Sequence, residues 1–448
     1  MREHLKRALS STVVAVAVAF LVRMVILHHV FRTALENTVM DPRFGAETGA
    51  VAASIAAGRG FSSPLKDFLT GPTAWFTPIY PYLLAGIFKL FGAFSYKSDI
   101  LIRTLDCAFS AFTCWPIFSI GKDAFGKKAG LAAAWLWAVL PTAVFFPVYW
   151  VWDTALAGLW MALLVAMTLK LRGSERRGFW IAYGAMWAIG AEINPSLLSV
   201  LPFLALWAIW PLRAHFARAA KLALPAAAIF IAGLAPWAIR NYVVFHKFIP
   251  LRSNFGLELW LGNNPEVPDG WSPTRHPNDN LFEGAKYARM TEIPYMAEKE
   301  REGWGFVRSH PGEFAGFTFR RFAYNWTGFW DPVLDVWKSA PAYVRATLLA
   351  NCLFSLLSLL GVLFAYRAQN PAAVPFGMVL VIFPLIFYVT HTSLRYRLPI
   401  DTIMAVLAVY AVAYPLSQWA GRRHTDTMRH SSGEVATLPQ SVAGKIGG

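Results

Sequence analysis

Runs of about twenty apolar residues recur along almost the whole chain, each long enough at a rise of ~1.5 Å per residue to cross a bilayer's hydrocarbon core as one helix. They fall at 11–31, 99–120, 129–148, 154–171, 179–194, 196–212, 220–240, 346–366, 372–390 and 398–416. Ten such spans predict an all-α polytopic membrane protein, since lipid offers the backbone no hydrogen-bond partners and only helices and closed barrels satisfy it internally. Composition agrees: of 448 residues 56% are hydrophobic and 15% charged, against about 25% charged in a water-soluble domain. That excludes a soluble enzyme, and 34 Phe, 19 Trp and 15 Tyr exclude a disordered or coiled-coil chain. Cys107, Cys114 and Cys352 lie within apolar runs without metal-ligand spacing and read as buried small side chains.

The net charge of +15 sits mostly in short breaks between the runs, as expected of loops facing the cytoplasm and anionic head groups, so nucleic acid is not an expected partner. The first run continues past Arg23 to Phe31 without a small-x-small cleavage site, so it reads as a span and not a signal peptide. Segment 75–93 is apolar, but Pro78, Pro81 and Lys89 suit a short interfacial helix. Leaving it out of the count places Arg2/Lys6/Arg7, Lys122/Lys127/Lys128, Lys170/Arg172/Arg176/Arg177, Arg213/Arg218/Lys221, Arg367 and Arg422/Arg423 on one side, which is then cytoplasmic. Both termini are expected there.

This topology gives an N-terminal transmembrane module 1–240 with a long first outer loop 32–98 bearing interfacial helices. An outer region follows at 241–345, then transmembrane helices over 346–416 and a polar tail 417–448 expected to be disordered. The outer region begins irregular at Gly262-Asn263-Asn264-Pro265 and reads helical over 281–303 and 311–324. No internal repeat of the transporter kind is visible.

Polar residues at the outer mouths are where function is to be sought. Asp41 and Glu47 precede a small-residue helix 48–57 that Gly58 closes. Glu47 suits either the helix dipole or a catalytic role. Asp153 in Tyr149-Trp150-Val151-Trp152-Asp153 can cap the next helix, or sit among Tyr149 and Trp152 as a site acid beside a sugar face. Arg240, Arg395 and Arg397 fall on the same outer side. Each suits a head-group anchor, and together they suit a phosphate opposite two carboxylates. Glu192, Asn194, His391 and Tyr396 border these mouths as candidate substrate contacts. Arg103 and Asp106, spaced i, i+3, are expected to pair, and Arg23 either snorkels or meets a carboxylate.

The assembled order of Glu47, Ser54-Ile55-Ala56, Gly58-Arg59-Gly60-Phe61, Pro78-Ile79-Tyr80-Pro81, Phe91-Gly92 and Asp153 resembles the GT-C membrane glycosyltransferases, the group of protein O-mannosyltransferases and lipid A aminoarabinose transferases. Ala191-Glu192-Ile193-Asn194-Pro195, Arg240-Asn241-Tyr242 and Arg395-Tyr396-Arg397-x-Pro resemble its bacterial branch. Many members carry an adjacent Asp-Glu pair where this chain has Phe44-Gly45-Ala46-Glu47, which leaves open whether Asp41 assists.

The resemblance implies transfer of a sugar, with inversion, from a polyprenyl-phosphate donor to a glycan, lipid or protein acceptor on the periplasmic side of a bacterial inner membrane. Glu47 and Asp153 would be catalytic, with Asp41 as possible help, and Arg240, Arg395 or Arg397 would hold the phosphate. No metal or other cofactor is required, although two acids beside a phosphate could hold a divalent ion. The rival readings are transport or flipping of a lipid-linked sugar, and a polymerase or ligase of lipid-linked oligosaccharides.

Overall fold

The computed structural model describes residues 11–36, 46–266, 275–328 and 341–434. It is 80% helical, with no strand among the described residues. Among the described residues seven helices are long and apolar enough to cross a membrane: Thr12–Arg32, Tyr96–Phe125, Thr154–Leu171, Pro195–Leu212, Phe216–Phe245, Arg345–Arg367 and Leu394–Trp419. An eighth span is a pair, Lys127–Val139 and Pro141–Tyr149, bent by 44°.

The ten expected spans are thus reduced to seven or eight, and proline is the main reason. Arg177–Ile193 stops at 17 residues because Pro195 pushes Asn194 out of the helical region. The stretch 373–389 is split into Ala373–Ile382 and Leu385–Val389 around Pro384. Ile79–Phe91 is the short apolar helix expected. The last helix runs on through Glu434.

The bend at Leu140-Pro141 has a partner deep in the bundle. Pro141 has no N–H to give the carbonyl of Trp137, and the break frees that of Ala138 as well. Arg23, fully buried, donates to both, from Nη2 to Trp137 at 3.3 Å and from Nη1 to Ala138 at 3.0 Å, and from Nε to Ser110 Oγ at 3.0 Å. It therefore neither snorkels nor meets a carboxylate; it satisfies backbone carbonyls that lipid could not.

The main core, with Trp137, Trp187, Phe376 and Met404, runs through the bundle. Helices approach closely at glycines: a Cβ on Gly184 would overlap the backbone of Ala226, and one on Gly361 that of Leu407. A second apolar cluster joins Val51, Phe61 and Trp75 of the first outer loop to Trp237, Trp260 and Tyr287. The two outer segments thus pack together over one end of the bundle.

Within the second outer segment the start is helical, Phe255–Gly262, where an irregular run was expected. The expected helix from 281 is two, Leu281–Met290 and Glu292–Ser309, because Thr291 takes a left-handed φ of 66° and Pro294 lies in the first turn of the second. Pro311–Thr327 follows.

Candidate functional site

Glu47 lies in the first turn of Ala46–Ala56 and is 7% exposed. His276, from the second outer segment, brings Nδ1 to 3.4 Å from its Oε1. The same Nδ1 accepts the backbone N–H of Asn278 at 3.3 Å.

Asp153 occupies the N-cap position of Thr154–Leu171, yet its side chain makes no capping bond. Its Oδ2 instead accepts from Asn194 Nδ2 at 3.1 Å, and Asn194 is held in turn by Ser196 N at 3.1 Å. Burial raises the Asp153 pKa, against the opposing charges of Arg252 and Arg395. A half-buried carboxyl that declines its own helix terminus is available for other work.

Arg395 faces both acids: Glu47 and Asp153 are the carboxylates whose charge it feels. Its guanidinium lies 4.1 Å over the Trp152 ring and 5.0 Å from that of Tyr396. Nη2 donates to Tyr396 Oη at 3.2 Å, while Nη1 is buried without a hydrogen-bond partner among the described residues. A buried charged donor left open costs free energy unless something else accepts from it.

The other two arginines expected on a phosphate are committed elsewhere. Arg240 donates to the carbonyls of Thr73 (2.6 Å) and Phe61 (2.8 Å), tying the first outer loop to Phe216–Phe245. Arg397, 1% exposed, pairs with Asp401 at 2.7 Å and bonds Asn325 O, Ser355 Oγ and Asn351. Both act as internal locks.

Tyr149 also departs from expectation; it is 40% exposed and stacks on Phe145 at 4.5 Å. Glu192 makes no hydrogen bond or ion pair with the cluster among the described residues. Asp41 lies outside the described residues. Arg103 pairs with Asp99 at 2.7 Å, not with Asp106, which accepts from Tyr80 Oη at 2.8 Å.

His391 does join the site, through an acid that sequence reasoning passed over. Its Nε2 is 2.5 Å from Glu258 Oε2. Burial would raise the Glu258 pKa, but the His391 bond, with the charges of His391, Arg252 and His276, brings it down to about 2. Glu258 is the one charged residue of Phe255–Gly262, and a lone carboxylate in so apolar a helix was the visible signal. Arg252 was also missed. Its Nε donates to Trp75 O at 2.8 Å, and its charge reaches Asp153, Glu258 and Tyr396. Nothing in the polar run around His276 marked that residue.

The structure thus gathers Glu47, Asp153, Asn194, Trp152, Arg395, Tyr396 and His391 with Arg252, Glu258 and His276 at one end of the bundle. Buried and half-buried acids lie near cations there, and Arg395 has a donor to spare.

Residues 75–239 match the family model for dolichyl-phosphate-mannose-protein mannosyltransferase. No curated protein matches the chain. An oligosaccharyltransferase of Archaeoglobus fulgidus, tethered to an acceptor peptide, is similar in structure at 13% identity and a TM-score of 0.54, over 92% of this chain and 50% of its own. The oligosaccharyltransferase AglB of the same organism, in complex with dolichol-phosphate and an inhibitory peptide, gives 12% identity and 0.50 over 90% and 48%. ArnT of Cupriavidus metallidurans, bound to undecaprenyl phosphate, gives 15% and 0.35 over 90% and 78%. The chain spans about half the length of the archaeal structures it matches. It is a multi-pass helical membrane protein that shares its fold with the archaeal oligosaccharyltransferase and is similar over residues 75–239 to the dolichyl-phosphate-mannose-protein mannosyltransferases.

Proposed function

We propose that the chain is a membrane glycosyltransferase that moves a sugar from a polyprenyl-phosphate donor to a hydroxyl-bearing acceptor at the outer face of a bacterial inner membrane. The observation that carries this reading is the open, buried Nη1 of Arg395, whose guanidinium feels the charge of Glu47 and Asp153 without a hydrogen bond to either.

The donor's isoprenoid tail stays in lipid and its phosphate meets Arg395, with Arg252 as the second cation. The guanidinium of Arg395 is already held flat on Trp152, so little reorganisation is needed as charge develops on the leaving phosphate. Glu47 takes the proton of the attacking hydroxyl. Asp153, aimed by Asn194, orients that hydroxyl. In one displacement the bond from the acceptor oxygen to the anomeric carbon forms while the carbon–phosphate-oxygen bond breaks. The electron pair leaves with the phosphate, and the configuration inverts. The family model's description, and the dolichol-phosphate and acceptor peptide named for the archaeal neighbours, support a lipid-linked donor with a separate acceptor. The side facing outward rests on the clustering of basic residues in the opposite loops.

The test is transfer by the purified protein in lipid, from radiolabelled polyprenyl-phosphate sugars to extracted membrane acceptors. Label should appear in acceptor with the wild type and vanish with Glu47→Gln and Asp153→Asn. Movement of intact label-bearing lipid across vesicles without transfer would instead identify a flippase.

A further inference from the structure

The end of the bundle remote from the acids carries a second built feature. Asp153 stands at one terminus of Thr154–Leu171, and the loop after Leu171 lies at the other, about 27 Å away at ~1.5 Å per residue. That loop, 172–177, meets the loop 210–218. Gly173 N donates to Ala208 O at 3.2 Å, and Arg172 Nη1 donates to Trp207 O at 3.1 Å. Arg218 pairs with Glu175 at 3.7 Å, and Trp180 Nε1 donates to Ser174 O at 2.8 Å. Gly173, with φ +71°, makes the turn that lets the two loops touch.

Three arginines here lie on aromatic faces: Arg172 over Trp207 at 4.1 Å, Arg213 over Trp210 at 5.1 Å and Arg176 over Phe179 at 5.6 Å. Each is exposed, so one face of the guanidinium is fixed on a ring while other N–H groups point to solvent. The two loops together carry five arginines against a single carboxylate, Glu175, which Arg218 already occupies. Trp210 and Phe179 remain 49% and 44% exposed beside them, and Phe216 83%. Exposed rings next to rigid cations suit a surface that is apolar on one side and anionic on the other.

We infer that these two loops form a binding platform for anionic phospholipid head groups, separate from the catalytic cluster and independent of the function proposed for it. A loose basic loop would only neighbour such lipids. Here the arginines are stacked and the loops are tied to each other, so the ordering cost of holding a phosphodiester is already met. Exposed aromatic rings alongside favour a lipid over free phosphate as its source.

The experiment is native mass spectrometry of the full chain released from neutral detergent containing phosphatidylglycerol, cardiolipin or phosphatidylcholine. The anionic lipids should be retained in preference to phosphatidylcholine. The triple variant Arg172→Gln/Arg176→Gln/Arg213→Gln should lose that preference. If it does not fold, Arg176→Gln with Arg177→Gln, neither of which holds the loops together by a side-chain hydrogen bond among the described residues, should weaken it in the same direction. Equal retention of phosphatidylcholine, unchanged retention by folded variants, or full displacement of the lipid by inorganic phosphate alone would overturn the inference.

Discussion

Two buried polar regions lie close together at the site end and differ in how completely they are satisfied. Around Glu292 every oxygen is used: Thr73 Oγ1, Ala74 N at 2.7 Å, Ser253 Oγ at 2.6 Å and Tyr287 Oη at 2.8 Å all donate to it. Arg240 closes the same loop from the other side through the carbonyls of Thr73 and Phe61. Around Arg395 the reverse holds. The carboxylates of Glu47 and Asp153 sense the guanidinium without bonding it, and Nη1 has no acceptor among the described residues. A fold that saturates one buried charge so fully and leaves another open distinguishes staple from site.

The largest expected effects would test the open region. Glu47→Gln and Asp153→Asn should each lower sugar transfer by about 10²- to 10⁴-fold, the range for a positioned acid or base. Thermal unfolding in detergent should change far less than transfer, because among the described residues each acid makes a single contact with another segment, Asp153 with Asn194 and Glu47 with His276. Arg395→Gln should lower transfer by about 10²- to 10³-fold, as for loss of one donor to a developing anion, and its unfolding midpoint should not fall. A marked drop in that midpoint would make Arg395 a staple and erase the contrast.

Buried charges that are fully bonded, Arg397 and Glu292, should respond the opposite way. Arg397→Met leaves Asp401 buried without its cation, at a cost of about 3–5 kcal/mol. Glu292→Leu would orphan four donors and also destabilise. Both should reduce the folded fraction while transfer per folded molecule survives, read as activity normalised to native protein.

A smaller and subtler effect concerns pH. The fold holds Glu258 at about 2, below its ordinary 4.5, so the native state favours its ionised form. The stabilisation is present in full above the unfolded value and fades as pH falls from about 4.5 towards 2. Glu258→Gln should flatten that part of the acid-unfolding curve. An unchanged curve would show that the pair with His391 contributes nothing to stability.

Much of the architecture was legible because lipid permits so few solutions. Hydropathy located each of the seven long spans among the described residues, and the miscount came where proline ends or breaks a run, at Pro195 and Pro384, a local event that average apolarity does not register. The short helix at 79–91 could be read from Pro78, Pro81 and Lys89. For the site, the motif order brought out Glu47, Asp153 and Arg395, which the structure brings within electrostatic reach of one another. It could not sort the arginines. Arg395 and Arg397 are two residues apart in the same motif, yet one faces acids across a gap while the other is wrapped by Asp401 and Asn351, and that depends on which neighbours the folded helices present. Arg252, Glu258 and His276 escaped notice because their partners come from other segments of the chain.

The position of Asp153 is set from the middle of the membrane. It follows the bent pair directly, and the angle between the two halves is wedged by Arg23, which grips the carbonyls that the elbow at Pro141 strands. A buried cation bonded only within the bundle therefore bears on where the residues after the elbow lie. Straightening that elbow would swing the Asp153 carboxyl away from Asn194 and Arg395 without altering either of those groups.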